Sequence, residues 1–151
     1  MHKNLEIDDN IFQNMVKFYG EIYSLSPLSA KIYAYLLFDF EKKGLTFDEL
    51  VKDFCASKSS VSTSLQQLIK AELINDISKM DERKRHFVIN QDYKKKRFEN
   101  IANKLSREVK IIKELTQLRI KKGVEPCDKL DIYCSLLERS TKDIQETINI
   151  L

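Results

Sequence analysis

The apolar positions change their spacing along the chain, and each change marks an element. Residues 8–24 place Ile11, Met15, Phe18, Tyr19 and Ile22 at helical intervals, with Asp8 or Asp9 able to cap the start. Ser26-Pro27 then supplies an N-cap followed by proline at the first helical position, where its missing N–H costs nothing. The helix it opens is expected to run to about Lys42, before Gly44, and to bury Leu28, Ile32, Leu36 and Phe40. Thr46-Phe47-Asp48-Glu49 has the spacing of a capping box and opens a short helix carrying Leu50, Val51 and Phe54. A second N-cap, Ser57, follows within a few residues. Its helix buries Val61, Leu65 and Leu68, and leaves Lys58, Ser59, Ser62, Thr63 and Gln66 on a small, polar face.

The period then falls to two. Leu73–Ile77 and His86–Ile89 read as strands, separated by the polar loop Ser78–Arg85. From Asp92 to about Lys122 the helical period returns, with Phe98, Ile101, Leu105, Val109, Ile112 and Leu115 on one face, until Gly123 and Pro126 stop it. Asp128 onward carries Leu130, Leu137, Ile144 and Leu151 seven apart, with Tyr133 and Ile148 between them, a seam of coiled-coil type that needs a partner surface. The order predicts a mainly α chain: a winged helix-turn-helix with a small β-hairpin wing and long terminal helices.

Composition agrees with this plan. The 151 residues hold only Gly 3 and Pro 2, too few turn formers for a β-sandwich or barrel. Overall charge is +3, but residues 57–97 carry a net +5, against −3 before them and +1 after. A basic middle segment suits a phosphate-facing surface. The longest apolar run, Ile32–Phe38, is far short of the ~20 residues of a membrane span, and the acidic N-terminus is unlike a signal peptide. Cys55, Cys127 and Cys134 have neither metal-ligand spacing nor an even number for disulfides. Cys127 and Cys134 would lie about 10 Å apart along one helix, too far to bridge. A reducing cytoplasm is the expected compartment. Neither a metal nor a cofactor is expected, and Gly20, Gly44 and Gly123 build no phosphate loop, so an enzyme is not expected either. His2 and His86 are isolated.

The candidate interface is with double-stranded DNA. A helix-turn-helix presents the N-terminal half of its second helix to the major groove, which selects Ser57, Lys58, Ser59, Ser60, Ser62, Thr63 and Gln66. The wing selects Asp81, Arg83, Lys84 and Arg85: an extended loop would put Asp81 and Arg83 on one face, the carboxylate bracing the guanidinium toward a narrow minor groove. Lys94-Lys95-Lys96-Arg97 reads as a solvated face, Cys55 as a core residue of the turn, and Tyr19, Tyr23 and Tyr33 as core or the wall of an effector cavity.

Leu25–Tyr33, Leu45–Leu50, Ser57–Leu65 and Arg83-Lys84-Arg85 together resemble the MarR-type winged-helix transcriptional regulators, within them the GbsR-like branch. The resemblance implies a homodimer joined through the first and last helices, a recognition helix at 57–70, a DNA-contacting wing around Asp81–Arg85, and control by a small-molecule effector. The implied division is residues 1–24 (first dimerisation helix), 25–91 (DNA-binding domain) and 92–151 (two-helix dimerisation region). Two features depart from the pattern. Ala71-Glu72 stands where many relatives place glycine, so that connection is expected to differ. Lys58 is the basic group of the recognition helix's DNA-facing half, so guanine reading by arginine is poorly supplied. The competing reading is a winged-helix protein-interaction module that docks a protein rather than DNA.

Overall fold

The computed structural model describes residues 5–151, which form two compact units, one ending at Gln91 and one spanning Asp92–Leu151. His2 lies outside the described residues.

In the first unit the order is α1 (Asp9–Ile22), α2 (Pro27–Leu37), β1 (Leu45–Thr46), α3 (Phe47–Asp53), α4 (Lys58–Lys70), β2 (Ile74–Ser78) and β3 (Arg85–Ile89). Helix α2 is the centre: Ile32, Tyr33, Ala34, Tyr35 and Leu36 are all buried, so it is apolar almost all round. Phe12 of α1, Leu50 of α3, Val61, Leu65 and Leu68 of α4, and Leu45, Leu73, Ile74 and Phe87 at the sheet pack with it in the core. Each such Leu or Ile contributes about 1.5–3 kcal/mol by leaving water. Tyr35 is wholly buried, and its hydroxyl is satisfied by donating to Asp53 Oδ2 at 2.9 Å while its ring packs edge-on against Phe54. The sheet has the order β1-β3-β2, antiparallel throughout, with Leu45 opposite Phe87 and the hairpin register running from Ile74↔Ile89 to Ser78↔Arg85.

Three sequence expectations are corrected here. Helix α2 ends at Leu37 rather than near Lys42, and Phe40 is 78% exposed instead of buried. The cause is Asp39, whose carboxylate accepts from the backbone N–H groups of Lys43 (3.3 Å) and Gly44 (2.7 Å) and offers the chain a turn in place of helix. On α1 the stripe Ile11, Phe18 and Ile22 is exposed, and Phe12, one residue round, faces the core. Cys55 is exposed rather than core.

Four helices share one ending, in which the N–H groups of two consecutive residues bond back to carbonyls of the last turn. At α4, Glu72 N–H donates to Ile69 O (2.9 Å) and Leu73 N–H to Leu68 O (3.0 Å). The residue in the left-handed conformation is Ser24 after α1 (φ 51°), Cys55 after α3 (φ 47°), Glu72 after α4 (φ 60°) and Gly123 after α5 (φ 70°). At Ala71-Glu72 the chain makes a left-handed turn, with glutamate in the position that glycine would occupy without strain.

The second unit is an antiparallel hairpin of α5 (Tyr93–Lys121) and α6 (Asp128–Ile148). Val109 and Ile112 pack with Cys134 and Leu137, flanked by Leu105 and Leu130. On α6 the inward positions are Leu130, Cys134, Leu137, Thr141, Ile144 and Ile148, spaced alternately by four and three. Tyr133 and Leu151 of the expected seam are exposed, as are Phe98 and Leu115 of α5. Among the described residues, no helix is long and apolar enough to cross a membrane.

Candidate nucleic-acid interface

The interface is built from two capped helices and a hairpin. Thr46 Oγ1 accepts from Glu49 N–H (3.3 Å), and Glu49 Oε2 accepts from Thr46 N–H (2.8 Å), closing the capping box of α3. The left-handed turn at Cys55 then redirects the chain into α4, where Ser57 Oγ accepts from Ser60 N–H at 3.2 Å. That same φ swings the Cys55 side chain out of the core, which an apolar-pattern argument does not register.

Helix α4 is held from beneath by small polar contacts that periodicity cannot see. Ser29, fully buried on α2, donates from Oγ to Ser64 O at 3.4 Å, and Gln67 Oε1 accepts from Ser26 N–H at 3.2 Å. The opposite face is open: Ser57, Lys58, Ser59, Ser60, Thr63 and Gln66 are exposed, and Ser62 is half-buried. Ser57 Oγ also bonds Ser60 Oγ (2.8 Å) and lies 3.3 Å from Ser59 Oγ, so the first-turn hydroxyls form one small network. Ser26, Pro27 and Leu28 face Ser59, Ser60 and Thr63 across an open groove of about 440 Å³.

On the wing, Asp81, Arg83, Lys84 and Arg85 are all exposed. Glu82 N–H donates to Lys79 O at 3.1 Å, so Asp81 lies in a reversing turn and β3 begins only at Arg85. Strand alternation therefore does not apply between Asp81 and Arg83, and no ion pair joins them among the described residues, which corrects the expected brace. The neighbouring cations are tied instead. Lys84 Nζ donates to Asp48 Oδ2 (3.0 Å) on α3, holding that carboxyl below the usual carboxylate range and its own ammonium above the usual lysine range. Arg85 pairs with Asp76 (3.2 Å) and lies over the Phe87 ring at 5.7 Å. Asp48 and Asp76 carried no sequence signal for these roles, because the first pairing spans 36 residues. Arg83 and Lys79 are the exposed cations of the arch that no ion pair ties down among the described residues.

The other singled-out groups sit elsewhere. Tyr19 stacks on Tyr23 (5.6 Å), and both meet Tyr33 edge-on, so the three rings pack on one another between α1 and α2. Lys94, Lys95 and Lys96 are exposed in the first turn of α5, with Arg97 half-buried. Cys127 is half-buried at the start of α6, and no group of His, Cys, Asp and Glu among the described residues is arranged to hold a metal.

No protein-family model matches the sequence, and no curated protein matches it. Solved structures do resemble the fold. One described as a transcriptional regulator has a TM-score of 0.55 at 15% identity, covering 93% of this chain and 94% of its own. A mutant of MepR from a multidrug-resistant S. aureus clinical isolate has a TM-score of 0.44 at 15% identity, with 88% of each chain covered. A MarR protein from Peptoclostridium difficile has a TM-score of 0.34 at 18% identity, covering 98% of this chain and 94% of its own. The likeness to the first of these bears out the fold, a winged helix-turn-helix with six helices and a three-stranded antiparallel sheet.

Proposed function

We propose that this chain is a dimeric, cytoplasmic, sequence-specific DNA-binding transcriptional regulator and not an enzyme. The observation that carries the reading is the exposed polar half of α4, with Lys58 and its hydroxyl network, on the same compact unit as a wing on which Arg83 is exposed and, among the described residues, free of an ion pair. In this reading α4 enters the major groove, where Ser59, Ser60, Thr63 and Gln66 meet base edges or phosphates, and Arg83 enters the adjacent minor groove. With no arginine on the helix, discrimination leans on hydroxyls and DNA shape and is modest. Lys84 and Arg85, held by Asp48 and Asp76, serve more as wing supports than as free phosphate ligands.

Dimerisation finds its support in uncovered apolar faces. Ile111, Leu115 and Leu118 recur at i, i+4 and i+7 on α5 away from its core row, Ile132 and Leu136 are exposed on α6, and Ile11, Phe18 and Ile22 are exposed on α1. A second copy covering them would set two recognition helices on half-sites roughly 10 base pairs apart. A small-molecule effector would act by binding unequally to dimers that are well and badly spaced for DNA. The placement in the GbsR-like branch rests on the sequence resemblance alone.

Arg83→Ala tests the reading. Affinity for an operator duplex should fall and the slope of log K against log salt should lose about one unit, since one charge contact ceases to release counterions. Unchanged affinity and slope would remove the wing from the interface. Binding of a protein partner that survives high salt, with DNA affinity lost, would put the docking-module reading first.

A further inference from the structure

His86 lies on β3, the central strand, opposite Thr46 on β1 and Ile77 on β2, and is 6% exposed. Its ring meets an acceptor at each end. Nδ1 is 3.2 Å from the carbonyl oxygen of Lys84, and Nε2 is 3.1 Å from Glu82 Oε2. A neutral imidazole has one N–H to give, so in that state one of its nitrogens turns a lone pair toward an oxygen lone pair. Only the imidazolium donates to both. The two acceptors belong to the residues on either side of Arg83.

We propose that His86 is a positioning residue for the wing: protonated, it clamps Glu82 and Lys84 and so holds Arg83 between them; deprotonated, it releases one of the two and loosens the arch. The inference deepens the DNA-binding reading and rests on it for its consequence at DNA. The charged groups on the neighbouring elements are Lys31 of α2, Asp48, Glu49, Lys52 and Asp53 of α3, and Asp76 of β2; Asp53 accepts from the Tyr35 hydroxyl. Asp48 is taken by Lys84, Asp76 by Arg85, and Glu49 accepts from the Thr46 N–H and hydroxyl. Glu82 is thus the carboxylate facing the ring. Because the clamped wing is the one that holds the proton, proton binding to His86 and closing of the clamp favour each other.

The test uses the full chain between about pH 5.5 and 7.5. The imidazole ¹⁵N shifts report protonation, and the protection factor of the Glu82 amide reports the wing turn. Protection should rise by at least about fivefold as pH falls, the low end of a coupling between two sites. His86→Gln should be flat over the same range, Glu82→Gln should show a reduced response, and His2→Gln should keep the full one. DNA affinity measured in parallel should follow the protection. Protection that does not change with pH, or that changes equally in His86→Gln, overturns the proposal. If His86→Gln fails to fold, Glu82→Gln, at an exposed carboxylate, decides it: a full response there overturns the clamp. A wing that responds while DNA affinity does not leaves the clamp standing and refutes the wing's place in the DNA interface.

Discussion

Adjacent residues at the end of α4 should respond to glycine with opposite signs. Ala71 has φ −76° and Glu72 has φ +60°. An L-residue in the left-handed region costs about 1–2 kcal/mol, which glycine avoids. Glycine's freer unfolded chain offsets about 0.4–1 kcal/mol of that gain. Glu72→Gly should therefore be more stable than Glu72→Ala by about 0.5–1 kcal/mol, the alanine variant serving to remove the carboxylate that opposes the helix dipole. Ala71→Gly should lose about 0.5–1 kcal/mol, because there only the entropy changes. The bonds to the turn's backbone groups, including the one that the Asn90 side-chain amide donates to Glu72 O at 2.7 Å, survive in all three variants. Urea unfolding of the four proteins, read as midpoint shifts at constant slope, measures the difference. Equal effects of glycine at the two positions would refute the backbone account of this ending.

Gly44 also has positive φ (77°), and a Cβ there would fall 2.9 Å from both His86 Cβ and Val88 Cγ1, so Gly44→Ala should destabilise by about 2–4 kcal/mol in the same assay. The Asp48 carboxyl should titrate below the usual range in a ¹³C NMR experiment and return to it in Lys84→Gln. The sign follows from the lowered value: the pairing supports the fold above the unfolded carboxylate pKa and is lost as pH falls through Asp48's own. Leu115→Glu, on the uncovered row of α5, should convert the proposed dimer to monomer in sedimentation without loss of helical circular dichroism; an unchanged mass would move the proposed interface elsewhere.

Caps were the most readable signals in the sequence. Asp8, Ser26, Thr46 and Ser57 each accept the backbone bond their position implies, because capping is a local contest between one side chain and one turn. The hairpin strands were also readable, to within a residue. Strand β1 was not, since two residues carry no period; Leu45 and Thr46 become a strand only because β3 lies beside them. Periodicity located apolar stripes without saying which was covered. On α1 it selected Ile11, Phe18 and Ile22 and passed over Phe12, and on α5 it extended the core row to Leu115 while missing Ala102. The heptad signal of α6 lies in its leucines and isoleucines, and it does not mark Cys134 or Thr141, whose hydroxyl donates to Leu137 O at 2.8 Å. At the candidate interface, residue exposure followed from the helix face, whereas the supports followed from long-range pairing. Lys84–Asp48, Arg85–Asp76 and Ser29–Ser64 join residues whose separation in the chain is set by the fold alone.

The central claim is that α4 and the wing read duplex DNA as a symmetric pair. Selection of bound sequences from a random duplex pool at physiological salt tests it most directly. The account predicts a two-fold symmetric motif with half-site centres about one helical turn apart. Recovery of no motif, with binding that simply fades as salt rises, would contradict it and leave only non-specific attraction to phosphate.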